Sequence, residues 1–496
     1  MKNSRMTRGA GILLSVTSLP SPYGIGTMGK DAFRFVDMLV DLRQKYWQVL
    51  PIGPTSFGDS PYQSFSAFAG NPYLIDLDIL IEEGLLRREE VDFYQWGDQK
   101  DDIDYQLIYE NRFEVLKSAY ERFDTKQKAF KDFCEENGDW LEDYSLYMAI
   151  KNEMNGREWL SWEEGLRDRE KETLDRYRES LKKQILFWKF LQYKFFEQWT
   201  ALRKYANKNG IQIIGDIPLY VALDSADVWA NRSEFKLGQD GRPTEVAGCP
   251  PDAFSDDGQK WGNPLYDWDK MEKDGYAWWQ RRMKANGNLF DIIRIDHFIG
   301  VARYYSIPAE DVNARNGKWN KGPGKKLTDM IEKTLGKNRI IAEDLGVAVP
   351  AVKKLLAKTG WPGMKILLFA FDGNTANEHL PHNYEDGNLV VYAGTHDNET
   401  VVGYFRDKTE YELAFLYEYL RIEKKDEIPD AIIRCAYGSV ADIVIMQMQD
   451  LLKLGNEARM NFPSTVGSNW RWRTLRDSLS EERRTWIRTM TLLYRR

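Results

Sequence analysis

Asp291-Ile292-Ile293-Arg294-Ile295-Asp296-His297-Phe298 is a short apolar, β-branched run that stops abruptly at an arginine, a carboxylate and a histidine. A buried strand has this look when it delivers polar groups at one tip. Taken alone, the run is equally a strand end with a solvated charge cluster. Its meaning depends on whether the pattern recurs along the chain.

It does recur. Residues 211–215 form an apolar run ending at Asp216, residues 339–342 lead into Glu343-Asp344, residues 364–371 end at Asp372, and residues 389–393 precede Thr395-His396-Asp397-Asn398. Residues 11–16 and 46–50 supply two earlier strands, and residues 441–446 an eighth that could run on as helix. Amphipathic helical patterns lie between several of them, at residues 31–43, 325–334, 351–358 and 408–422. Eight strands separated by helices predict a closed (β/α)8 barrel, in which every strand's C-terminal end faces one mouth. Asp216, Asp296, Glu343, Asp372 and Asp397 are therefore expected to converge.

Two segments interrupt this order. Residues 76–205 are helical, charged and aromatic, with no apolar β-branched run, and include a long amphipathic helix at 181–205. They read as a mainly helical insertion between strands two and three, leaving residues 1–75 and 206–496 as the catalytic barrel. Residues 218–264 are dense in turn residues and read as a large loop insertion beyond the third strand.

Bulk composition excludes several classes of function. There are 69 basic and 76 acidic side chains among 496 residues, a net charge of -7, so no basic surplus exists for nucleic acid. The apolar run after the basic N-terminus is too short for a signal or membrane segment, and Cys134, Cys249 and Cys435 are too scattered for a disulfide framework or a CxxC metal site. A cytoplasmic protein without membrane attachment is expected. Gly24-Ile25-Gly26-Thr27-Met28-Gly29-Lys30 matches the letters of a dinucleotide fingerprint, but Pro20 and Pro22 separate it from the strand, and no ribose-binding acid ends the second strand. Four histidines, His297, His379, His382 and His396, show no metal-ligand spacing. No metal or cofactor is expected. Aromatic residues reach 13%, including 17 Trp, which suits cores and sugar-stacking surfaces alike.

Five carboxylates aimed into one cavity repel one another unless the site uses the charge. Glycoside cleavage uses it: one carboxylate attacks the anomeric carbon while a protonated one delivers a proton to the leaving oxygen. Arg294, two residues before Asp296 on the same strand face, can keep Asp296 ionised, while crowding and burial can keep Glu343 protonated.

Seven motifs now carry a resemblance: SLPSPYGIG at 18–26, SPYQS at 60–64, GDIP at 215–218, WGNP at 261–264, RIDHF at 294–298, AEDLG at 342–346 and GTHDN at 394–398. Together and in this order the chain resembles the 4-α-glucanotransferases of glycoside hydrolase family 77 from about Arg8 to Trp472. The resemblance implies Asp296 as nucleophile, Glu343 as general acid/base and Asp397 as a third carboxylate stabilising the transition state. It implies that Tyr62 stacks below the reacting glucose, that Asp216, Arg294 and His396 hydrogen-bond it with Asn398 beside them, and that Trp261 and the loop around Asp252 border the acceptor side. Donor and acceptor are then maltooligosaccharides or longer α-1,4-glucans. A retaining mechanism requires the Asp296 and Glu343 carboxyl groups to lie about 5–5.5 Å apart. An α-amylase-type hydrolase with the same three carboxylates is the alternative reading, and a non-catalytic glucan-binding barrel is the rival of another class.

Overall fold

The computed structural model describes residues 5–56, 58–251, 255–346 and 350–496. Its strands are β1 (Gly9–Leu13), β2 (Tyr46–Gln48), β3 (Gln212–Ile217), β4 (Glu245–Cys249), β5 (Gln259–Pro264), β6 (Ile292–Ile295), β7 (Arg303–Pro308), β8 (Lys318–Lys321), β9 (Ile340–Ala342), β10 (Gly363–Ile366), β11 (Leu389–Tyr392) and β12 (Ile443–Gln447). Eight of them form one sheet in the order β10-β11-β12-β1-β2-β3-β6-β9, with parallel ladders throughout. The ends of that order meet where the Ala342 N–H donates to the Pro362 carbonyl at 2.9 Å, closing a (β/α)8 barrel. Its strands read as near-continuous apolar runs because helices cover them outside and side chains fill the barrel inside. β1, β6, β9, β11 and β12 are buried along their whole length.

Asp291 and Asp296 bracket β6 and serve its opposite ends. Asp291, at the strand's start, accepts from the Ile213 N–H at 2.8 Å and pairs with Arg203 at 2.7 Å, which ties the strand to the long helix Lys182–Lys208. That helix buries Trp188, Phe195, Trp199 and Leu202. Helices fill most of the chain from Leu77 to Lys208, between β2 and β3.

Two expectations need correction. The sixth barrel strand stops at Ile366, and Leu367–Phe369 turns as a 3-10 helix in which the Leu368 N–H reaches the Ala393 carbonyl. Asp372 is thereby carried out to an exposed turn, where it accepts from the Asn374 N–H, and does not join the other carboxylates. The segment at 218–264 is also not simply loop: β4 and β5 pair antiparallel and join β7 and β8 in a second sheet of order β5-β4-β7-β8. These strands mix polar and apolar residues, without the apolar runs that mark the barrel strands. Among the described residues no helix is long and apolar enough to cross a membrane.

Candidate active site

Strand register sets the first contact. Asp216 on β3 stands opposite Arg294 on β6, so both side chains point into the barrel on one face. Arg294 Nη1 lies 2.7 Å from both Asp216 oxygens, and these side chains are 4% and 0% exposed. Gly215 permits this arrangement from behind, since a Cβ there would sit 2.1 Å from the Phe290 ring. Asp296 follows Arg294 by one strand period and takes the same nitrogen at 3.0 Å while remaining 26% exposed. A single guanidinium nitrogen therefore holds two carboxylates, one sealed and one facing the cleft.

Glu343 immediately follows β9, and its backbone N–H is tied to the Ile295 carbonyl at 3.0 Å. Its carboxyl group accepts from the His297 N–H at 2.8 Å and the Leu345 N–H at 2.7 Å. His297 adopts a left-handed conformation (φ 51°), which turns its N–H back toward Glu343 as the chain leaves β6. The two carboxylates next to the cleft are thus fixed by the same short turn.

Asp397 comes from the turn after β11. Asn461 Nδ2 donates to one of its oxygens at 2.6 Å, His396 Nε2 lies 3.4 Å from the other, and Arg459 donates to its backbone carbonyl at 2.8 Å. The Asn398 amide oxygen takes the Thr395 N–H and hydroxyl, closing this turn. The Tyr62 hydroxyl donates to Asp216 at 2.8 Å, and its ring stacks on His396 with centroids 5.1 Å apart and planes 13° apart. Trp470 flanks both rings, and Trp261 meets the His297 ring edge-on at 4.7 Å.

These groups surround a cleft of about 470 Å³ whose walls include Tyr62, Trp261, Asp296, His396 and Asp397. Asp252 lies outside the described residues. Asn461, Arg459 and Trp470 complete the site without having been expected from sequence. The available signal was an asparagine between Met460 and Phe462 in an irregular stretch beyond the eighth strand, on the mouth side of the barrel. Among the described residues, no group of three or more His, Cys, Asp and Glu side chains is arranged to hold a metal ion.

Burial dominates the electrostatics. It pushes the Glu343 carboxyl up to about 6 against the pull of Arg294 and of the two backbone N–H groups. Asp296 is also raised by burial, with Arg294 opposing and Asp216, Glu343 and Asp397 adding to the rise. The pair titrates together, so the proton's residence follows from contacts: Arg294 touches Asp296 and not Glu343. The chemistry this arrangement supports is one ionised carboxylate beside one protonated carboxyl. His396 and His297 are both lowered by burial, His297 to about 4, so both rings are neutral at pH 7.

A closed (β/α)8 barrel with three mouth carboxylates, a buried arginine on one of them and an aromatic-walled cleft belongs with the barrel enzymes that act on glycosidic bonds. Comparison with known proteins narrows this class. A family model described as 4-alpha-glucanotransferase matches residues 14–477. A 4-alpha-glucanotransferase of Clostridium butyricum is 48% identical over 488 residues, covering 97% of this chain and all of that one. One from Thermus thermophilus is 46% identical over 496 residues, covering 98% of each. The amylomaltase of Streptococcus agalactiae, solved in complex with acarbose, superposes with a TM-score of 0.95 at 42% identity over 99% of both chains. The chain belongs to the 4-alpha-glucanotransferase family, glycoside hydrolase family 77.

Proposed function

We propose that the enzyme transfers α-1,4-glucan segments between maltooligosaccharide or longer glucan chains by a retaining double displacement. The observation that carries this reading is the shared Arg294 contact, which supports an ionised Asp296 beside a buried, proton-holding Glu343. In the first half-reaction an Asp296 oxygen attacks the anomeric carbon, the glycosidic C–O bond breaks, and the Glu343 proton goes to the departing oxygen. In the second, Glu343 takes the proton from an acceptor 4-hydroxyl whose oxygen displaces Asp296, restoring both carboxyl groups. Asp397 receives sugar hydroxyls, its orientation held by Asn461 and His396.

Tyr62 and His396 form the donor-glucose surface in this reading, with Asp216 and Arg294 buried behind them and Asn398 shaping the Asp397 turn. Trp261 borders the acceptor. Residues 76–205 are a helical insertion into a barrel made of 1–75 and 206–496, and the sparse cysteines suit the cytoplasm. The hydrolase alternative is disfavoured, since the relatives matched at full length are transferases by name.

Maltotriose tests the proposal. The expected products are glucose and a ladder of longer maltooligosaccharides with no net gain in reducing ends, whereas a rise in reducing ends would establish hydrolysis. Asp296→Asn should abolish turnover while preserving folding and glucan binding, and surviving activity would remove Asp296 as nucleophile.

A further inference from the structure

No described residue between 76 and 205 lines the cleft, so any influence of this helical segment on the reaction passes through a neighbour. One buried cation marks the route. Tyr147 and Lys151 lie one turn apart on the helix Gly138–Glu153 and present to the same side. The Lys151 side chain is 6% exposed, and its ammonium donates to Asp224 at 2.6 Å and to the Arg157 carbonyl at 3.3 Å. The Tyr147 hydroxyl takes the other Asp224 oxygen at 2.5 Å. The Lys151 ammonium also lies 5.0 Å from the centre of the Phe65 ring, which packs against Tyr147 at 6.5 Å.

Phe65 forms the base of the loop bearing Tyr62. Thr55 and Ser64 pair antiparallel, and the Phe65 N–H returns to the Pro54 carbonyl, pinching the loop so that its base sets the direction of its tip. The segment that follows β3 grips the same base: the Ala226 N–H donates to the Phe65 carbonyl at 2.9 Å, and Asp227 accepts from the Ala67 N–H at 2.7 Å. Lys151 is therefore where the helical segment, the Tyr62 loop and the segment after β3 meet. An ammonium excluded from water is tolerated only while its carboxylate and ring partners stay in place, so its charge makes the three parts order together.

We propose that Lys151 is a positioning residue that fastens the helical segment to the Tyr62 loop and thereby sets the Tyr62 ring beneath the donor sugar. This rests on the reading of Tyr62 as the donor-stacking residue. The test measures kcat and KM for maltotriose disproportionation in Lys151→Met, Phe65→Leu and Tyr62→Ala, and in each of the first two combined with the third. Phe65→Leu loosens the same junction without stranding a charge, and carries the test if Lys151→Met fails to fold. Lys151→Met and Phe65→Leu are each expected to lower kcat/KM about tenfold, mainly through KM, and by less than about twofold once Tyr62 is alanine. Losses that multiply independently of Tyr62, or that fall on kcat with KM unchanged, overturn the proposal alone. Tyr62→Ala with an unchanged KM overturns the stacking reading and the proposal together.

Discussion

Arg294 has one positive charge to set against Asp216 and Asp296, and Asp216 receives the closer contact, 2.7 Å against 3.0 Å. The consequence is a prediction about pH. Asp216 raises Asp296 by like-charge repulsion, while Arg294 lowers it. In Asp216→Asn the repulsion is gone and Arg294 serves Asp296 alone, so Asp296 ionises at lower pH. The acid limb of kcat/KM, where Asp296 as the proposed nucleophile takes up its proton, is expected to shift down by about one unit or more. The alkaline limb reports loss of the Glu343 proton, which burial raises to about 6. It should stay within a few tenths of its place in this variant. A pH–rate series on both proteins decides the matter, and an upward shift of the acid limb would contradict the ionic order assigned to Asp216, Arg294 and Asp296. His297, by contrast, contributes through its backbone: its left-handed conformation aims an N–H at Glu343, and only the run's polar ending hinted that the chain turns there.

At the scale of elements, the last barrel strand delivers a clamp in place of a catalytic acid. Asp450, in the short helix Met448–Leu451 just beyond β12, accepts from the Val401 N–H at 2.7 Å and from Gln447 Nε2 at 3.3 Å, holding the helix that follows the His396-Asp397 turn. Burial raises its carboxyl to about 7. Because the unfolded chain releases this proton near pH 4, folding holds the proton more tightly, and stability falls as pH rises from about 4 to about 7. Asp450→Asn keeps the acceptor oxygen and removes the charge. Its thermal midpoint should exceed the parent's at pH 8, by a stability on the order of 2–4 kcal/mol, and converge with it as pH falls below about 4. Equal midpoints at pH 8 would show that Asp450 is not a buried charge. Asp450 was invisible to sequence reading because a lone acid after an apolar run looks solvated. The barrel strands were legible because fully buried parallel strands are continuous apolar runs. The same logic overextended β10, where residues 367–369 are equally apolar but turn as 3-10, and it missed β4, β5, β7 and β8, whose mixed residues leave no apolar run to read.

Across the whole molecule, the barrel separates chemistry at its mouth from stability at its base. The base has its own focus at carbonyls 436–441, between the end of the helix Ile428–Gly438 and the start of β12. Arg496, 6% exposed, donates there to the carbonyls of Ala436, Tyr437, Ser439 and Ala441, and Arg8 reaches Ser439, Val440 and Ala441 beside it. Helix-terminal carbonyls lack partners within the helix, and the helix dipole favours a cation at this end. Burial lowers Arg496 to about 10, so it remains charged at neutral pH. Arg496→Met keeps most of the apolar stem while leaving these carbonyls with fewer donors, at an expected loss of roughly 2–4 kcal/mol. In a chain this long that is a fall of only a few degrees in the unfolding midpoint, measurable by calorimetry. The carboxylates proposed as catalytic follow the opposite ends of the strands, so kcat per folded molecule should not change. A reduced kcat with an unaltered midpoint would show that the base and mouth of this barrel are coupled.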